Sequence, residues 1–420
     1  MASSSTWPQM AMIRQKLHAA RIGDVSDATY NALETIRLRL PAPGAKRVAV
    51  AVGSRGINNI ADIVKGCITY LKRLGFEPFI VPAMGSHGGN TTQGELSVLA
   101  GLGITEASMG VPIKASSTVV TVATLPANIP VVMDEQAAQA DHIVVINRVK
   151  PHTKFHDVTE SGVTKMLTIG LGKGEGARIY HRAAVDQSFA VLRTAAGLIL
   201  QGCSVLFGLA IVEDGYANTA IICPTLPENW FEQEHHLLDQ ARGMMPRVPF
   251  DQLDVLIIDE IGKDISGIGM DSNVTGRHRD LVGDFFEAPH VKRIFVRNLS
   301  THTAGNGNGI GLADVTTQRL VDALDLTRTY ANAITAISPE KAAIPVHFAT
   351  DRECMQTCFD TIGPIEPEAA RVVHIKNTST LDTMAVSRAL ESEAVADSNI
   401  TLVTPWEPMA FNDQENLEGI

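Results

Sequence analysis

From residue 47 onward, short aliphatic, β-branched runs alternate with stretches whose apolar positions recur at helical spacing. The run at 47–53 (RVAVAVG) is continuous and ends in Gly53. Across 58–74 the apolar residues Ile60, Ile63, Val64, Cys67, Ile68 and Leu71 share one face of a helix. Gly75 stands just past it, where a helix-ending glycine belongs. Further strand patterns lie at 77–81, 142–149, 204–212 and 253–258, and helical ones at about 91–99, 181–201 and 232–243. Strands that are apolar on both faces and separated by helices predict an α/β fold with mostly parallel sheets. The long apolar run at 195–212 is broken by Gln201, Gly202 and Ser204. It predicts a helix end, a turn and a buried strand, because a membrane span needs about 20 uninterrupted apolar residues.

A boundary is expected at 244–250 (MMPRVPF), where Pro246 and Pro249 precede a fresh strand. Two α/β domains follow from this: 1–246, carrying cofactor and catalysis, and 247–420, closing over substrate. In the second, strands are expected at 293–297, 345–348, 371–376 and 400–403, and helices at 313–324 and 381–395. The active site is expected in a cleft between the two. No internal repeat or low-complexity tract stands out.

At 420 residues the chain is too long for one ordinary core, which agrees with two domains. Hydrophobic content of 45% against 19% charged is a globular balance rather than a disordered one. The net charge of -11 and the lack of a dense basic run argue against nucleic acid as a partner. The opening MASSSTWPQM has no apolar core, so a signal peptide, a membrane partner and secretion are not expected. A cytoplasmic location is expected instead. Cys67, Cys203, Cys223, Cys354 and Cys358 then read as reduced thiols. Cys354 and Cys358 lie four apart on a helical pattern without a second pair, and read as packing thiols rather than zinc ligands. His235 and His236 lie in a charged helical stretch and read as a solvated face.

Chemistry gathers after the N-terminal strands. Ser54, Arg55 and Gly56 follow the first. PAMGSHGGN follows the second, with His87 between Ser86 and the pair Gly88 and Gly89. KPHTKFHD follows the third, with Lys150, His152, Lys154 and His156. Then comes ESGVTKMLTIGLGKGEGA, with Lys165 and Lys173 among five glycines, and His181 beyond it. Taken singly, each has a plain explanation: the glycines make turns, and GLGKGEG is neither a P-loop nor a GxGxxG motif. Cationic and titratable groups on consecutive strand ends together mark a site for an anionic ligand.

The run at 147–181, NRVKPHTKFHDVTESGVTKMLTIGLGKGEGARIYH, resembles the core of the lactate racemase family, and PAMGSHGG and the Arg55 turn resemble its two earlier motifs. The resemblance implies a nickel pincer nucleotide (nickel pyridinium-3,5-bisthiocarboxylic acid mononucleotide) joined covalently to Lys165. It makes His181, sixteen residues later, the nickel ligand, and His87 and His152 the acid and base. It makes Arg55 a cofactor and substrate contact. Ser86, Gly88, Gly89 and Lys173 are then expected around the cofactor's phosphate. The stretch between the second histidine and the lysine is about three residues longer here than in that family, so His156 competes with His152. The motifs IGKDISGIGMDSNVTGRH (261–278) and THTAGNGNGIGLAD (301–314) resemble a sister branch rather than lactate racemase itself.

The chemistry suits those residues. A C–H bond beside a hydroxyl yields hydride more readily than a proton, and the hydroxyl proton needs a group on each face with a pKa near neutrality. The expected reaction is inversion of a hydroxyl-bearing carbon of a 2-hydroxy acid. An alternative is epimerisation of sugars or sugar acids, with Lys263, Asp271, Asn273, Asn306 and Asn308 bonding the extra hydroxyls, and His278 and His302 as further candidates. Another is a nucleotide-binding protein without turnover. A dehydrogenase is disfavoured because no strand, GxGxxG and helix unit is visible. Proteins that build the cofactor are expected partners, and a homodimer is an open expectation.

Overall fold

The computed structural model describes residues 7–41, 46–53 and 56–420. The chain divides into two compact units: Met1–Leu17, Thr153–Phe155 and Pro246–Ile420 in one, His18–His152 and His156–Met245 in the other. The change near residue 246 falls where the two prolines stand. The first seventeen residues, however, count with the C-terminal unit rather than with 18–245, and so do Thr153–Phe155. The reason is a strand that alternation alone did not reveal. Gln9–Gln15 pairs antiparallel with Thr383–Ser387 and Ile400–Leu402. Trp7 adds an edge-on contact with Phe411, ring centres 4.8 Å apart.

The unit at 18–245 is built on a five-stranded sheet in the order Glu77–Pro82, Arg47–Val52, His142–Arg148, Val205–Glu213, Thr219–Thr225. The first four strands are parallel and the last turns back antiparallel. Their registers set Val52 beside both Pro82 and Ile146, so three carboxyl ends lie level. Val48, Val50 and Val52 are fully buried against Ile63, Val64, Cys67 and Leu71 of the helix Ile60–Arg73. The apolar run at 195–212 is the end of the helix Ala190–Gly202 followed by the strand Val205–Glu213. A hairpin, Val119–Leu125 with Ile129–Asp134, was not foreseen.

The C-terminal unit is a nine-stranded mixed sheet. Val346–Phe348, Val315–Thr317, His290–Leu299, Gln252–Ile261 and Val372–Ile375 run parallel. Two expected helices are corrected. At 313–324 the strand Val315–Thr317 precedes the short helix Gln318–Asp322. At 381–395 the strand Thr383–Ser387 precedes the helix Glu391–Ala396. Both stretches contain β-branched residues that pair before the helix begins. All five cysteines are free thiols, with Cys67, Cys354 and Cys358 buried. Among the described residues no helix is long and apolar enough to cross a membrane.

Candidate active site

Two of the three level strand ends lead into the expected loops of the unit at 18–245. After Glu77–Pro82 the chain turns through Gly85 at φ +60° and a short turn of helix, His87–Asn90. A Cβ on Gly85 would lie 3.2 Å from Ile169 Cγ2, and one on Gly174 would lie 2.1 Å from Asn90 Oδ1. The His87 turn is therefore pressed against the segment at 166–170 and the start of the helix Lys173–Gln187. His87 is half-buried there. Gly88 and Gly89 are not equivalent: a Cβ on Gly88 would meet the Glu95 amide at 2.8 Å, whereas space is open beside Gly89. Packing on the next helix explains Gly88, and Gly89 alone leaves room for a ligand. Ser86 sits half-buried ahead of them. Arg55 lies outside the described residues.

The third loop carries His152. Its amide donates to Glu160 Oε2 at 2.6 Å, and Arg242 clamps Glu160 Oε1 at 2.6 Å. Burial would raise the Glu160 carboxyl, but hydrogen bonds from His156, the His152 amide and Arg242 hold it below its usual range. His152 Nε2 lies 2.9 Å from Lys165 Nζ. His156 has its Nδ1 3.4 Å from Glu160 Oε1, and so helps hold the loop.

Lys165 ends a single helical turn, Val163–Lys165, that runs straight into a π-helix, Met166–Gly170. Such wide turns recur at functional positions because they re-aim side chains. The turn is braced from below. Thr164 donates its amide to Glu234 Oε1 at 3.0 Å and its hydroxyl to Glu234 Oε2, while Trp230 Nε1 donates to Thr164 Oγ1 at 2.9 Å. Gly162, at φ +93°, is required here, since a Cβ would sit 2.3 Å from Glu234 Oε1. Glu234 is fully buried, and burial pushes its carboxyl up to about 7 against the opposing Thr164 hydrogen bonds. Neither Glu234 nor Trp230 was foreseen. They lie in the helix Trp230–Met244, whose charged neighbours hide one inward-facing carboxylate.

His181 sits half-buried on the helix Lys173–Gln187. That helix breaks from Ala190–Gly202 at Ser188, φ +55°, and Phe189 follows. The Phe189 ring lies 5.9 Å from the His152 ring and 5.8 Å, edge-on, from the His181 ring. Two imidazoles from separate segments thus pack near one buried phenyl ring, and the Lys165 amine contacts one of them, His152. Sequence reading missed Phe189 because a Ser-Phe pair gives no signal of a helix break.

Lys173 is corrected. It is buried, donates to the Pro82 carbonyl and to Glu95, and lies 3.2 Å from Asp134 Oδ2. An ammonium buried between a carbonyl and two carboxylates holds the fold and is not offered to a phosphate. Lys154 is likewise buried, but inside the C-terminal unit: it donates to the Ala336 carbonyl at 2.8 Å and to Ser338 Oγ at 2.7 Å, and lies 3.2 Å from Asp280.

The expected substrate contacts of the C-terminal unit bond within their own loops and to neighbouring segments. Asp271 Oδ1 accepts from the amide and the side chain of Asn273. Lys263 Nζ donates to the Gly267 carbonyl and to Asn332. Asn306 Oδ1 accepts the Asn308 amide, and Asn308 is 2% exposed. The glycines interlock these loops, for a Cβ on Gly309 would lie 1.7 Å from the Ile268 carbonyl oxygen. His278 is buried 3.2 Å from Asp280, whereas His302 is exposed. These bonds hold the loops together, while Asn308 Oδ1 is buried without a hydrogen-bond partner among the described residues.

Residues 17–191 match the model of the lactate racemase N-terminal domain. The lactate racemase apoprotein of Thermoanaerobacterium thermosaccharolyticum superposes with a TM-score of 0.53 at 13% identity, over 88% of this chain and 94% of that one. A protein from Thermotoga maritima superposes with a TM-score of 0.52 at 14% identity, over 78% of this chain and 84% of that one. At such identities the likeness is one of fold. No curated protein sequence matches the chain.

Proposed function

Starting from residues 17–191, which match the lactate racemase N-terminal domain, we propose that the protein belongs to that family and is an isomerase inverting a hydroxyl-bearing carbon of a 2-hydroxy acid. The observation that carries this reading is the contact of Lys165 with His152, whose ring, like that of His181, packs near Phe189.

The group fitting these residues is a nickel pincer nucleotide, with Lys165 as its attachment point, His181 as a nitrogen ligand, and Ser86 and Gly89 toward its phosphate. Among the described residues no three His, Cys, Asp or Glu gather as a metal site. A single imidazole, that of His181, suits a metal that arrives already held by sulfur and carbon donors. When bound, that group supplies the hydride acceptor. The protein's own part is proton traffic and orientation. His152 and His87, on separate loops, take and return the hydroxyl proton on opposite faces of the substrate. Phe189 packs against His152 and excludes water from that side, and Glu160 fixes its main chain.

The test uses protein made together with the cofactor-synthesis enzymes. The expected result is added mass on the Lys165 peptide, about one nickel per chain, and inversion of a C2-deuterated 2-hydroxy acid with the deuterium kept at carbon. A panel of aldonic acids and aldoses separates this from sugar epimerisation. Replacement of His87 or His152 by Ala should lower turnover about 10²- to 10⁴-fold, with the added mass unchanged in the His87 variant. Intact activity in both variants would favour a binding protein instead.

A further inference from the structure

The contact between Lys165 and His152 has chemistry of its own before a substrate binds. We propose that His152 is the general base that frees the Lys165 amine for acylation, so that the bare chain carries a lysine primed for an electrophilic acyl or thioacyl carbon. This rests on reading Lys165 as the attachment point and adds the residue that activates it.

A lysine ammonium has three donors and no acceptor. At 2.9 Å from His152 Nε2, either the ammonium donates to an unprotonated Nε2, or an imidazole N–H donates to a neutral amine. The two arrangements differ by one proton moved along a single N to N line. An ordinary lysine is neutral in only roughly one molecule in a thousand at pH 7. A base in contact lets the proton leave as the nitrogen attacks. Another buried lysine of the same unit shows the contrast. Lys173 faces Glu95 and Asp134. A carboxylate neighbour stabilises the ammonium, whereas an imidazole can accept its proton.

Both partners are held. Thr164, beside Lys165, is fixed by Glu234 and Trp230. The His152 main chain is fixed by Glu160, itself clamped by Arg242. Both side chains are half-buried, so a small reagent reaches them. For a thiocarboxylic acid the step balances without an oxidant. Lys165 passes a proton to His152 Nε2, and its nitrogen lone pair forms the C–N bond. The C–O bond then breaks, and the oxygen leaves as water, taking the proton returned by His152 and one from the attacking nitrogen. A thioamide and one water result from one ammonium and one thiocarboxylate.

The experiment is a brief pulse of limiting acetic anhydride on the full chain without cofactor at pH 7. Acetylation is read lysine by lysine by peptide mass spectrometry, with exposed Lys16 and Lys376 as internal references. Lys165 should outrun both references by about tenfold or more. His152→Ala and His152→Gln should each bring it down to the reference rate, with melting temperatures showing that the variants fold. Lys165 reacting no faster than Lys376 in the unaltered chain would overturn the proposal, as would unchanged Lys165 labelling in a folded His152 variant. A missing cofactor adduct in the earlier test would sink the family chemistry and leave this result standing. A fast His152-independent adduct would do the reverse.

Discussion

Glu234 shows how one side chain can support a site without touching substrate. Its carboxyl is fully buried and raised to about 7, above its usual 4.5. A carboxyl raised on folding binds its proton more tightly in the folded state, so its contribution favours folding at low pH and fades between about 4.5 and 7. Glu234→Gln keeps an acceptor for Thr164 and cannot ionise. Its melting temperature should therefore fall less between pH 5 and pH 8 than that of the unaltered protein, as thermal melts across that range would reveal. Glu234→Leu removes the acceptor, leaves the Thr164 amide unsatisfied and should lower stability by about 1–3 kcal/mol. The legible and the hidden divide here along chemistry. Lys165, His152 and His181 were visible from their spacing and context, whereas Glu234 gave no sign because its role is to satisfy donors that exist only once the turn is formed.

Among the elements, the helix Lys173–Gln187 decides most. It starts from Lys173 in a left-handed conformation, φ +55°, a strained position for a side-chain-bearing residue. The ion group with Glu95 and Asp134 compensates that strain. Burial raises both carboxyls, while Lys173 pulls them back down. Lys173→Met would leave two buried carboxylates without their cation. A loss of about 3–5 kcal/mol is expected in denaturant unfolding. Loading of Lys165 should persist in whatever fraction stays folded, an outcome that a phosphate-binding role for Lys173 would not give. The glycine turn offers a second check. Gly88→Ala places a Cβ against the Glu95 amide and should destabilise, while Gly89→Ala meets open space and has only its φ of +66° to resist. The first should therefore melt lower than the second.

At the scale of the molecule, each unit closes its own charge. In the C-terminal unit Arg297 donates to Asp259, to Asp351 at 2.9 Å and to the Leu417 carbonyl, while His374 Nε2 lies 2.6 Å from Asp259. Burial would raise Asp259, but His374 and Arg297 keep it ionised below its usual range. Leu417 and Ile420 donate their amides to Asp351 and Asp259, so the last residues are tied to the sheet. Arg297→Met should cost about 3–5 kcal/mol and lower the melting temperature, because two buried carboxylates lose their main cation. Lys154 gives a second buried knot with Asp280 and Lys341, in a three-residue piece that the chain contributes from the middle of its N-terminal half.

The order of amino acids alone settled the alternating α/β character, marked a division near residue 246, where a segment of the second unit begins, and singled out Lys165, His152 and His181 as candidates, because local periodicity and motif spacing are properties of neighbours along the chain. Tertiary structure decided what depended on distant partners. It drew the strand Gln9–Gln15 into the C-terminal sheet, turned Lys173 and the Asn-rich loops inward to satisfy buried charges and amides, and brought Phe189 between two histidines. A polar side chain reads the same in a sequence whether it meets a ligand or a buried carboxylate, and only the packed chain says which.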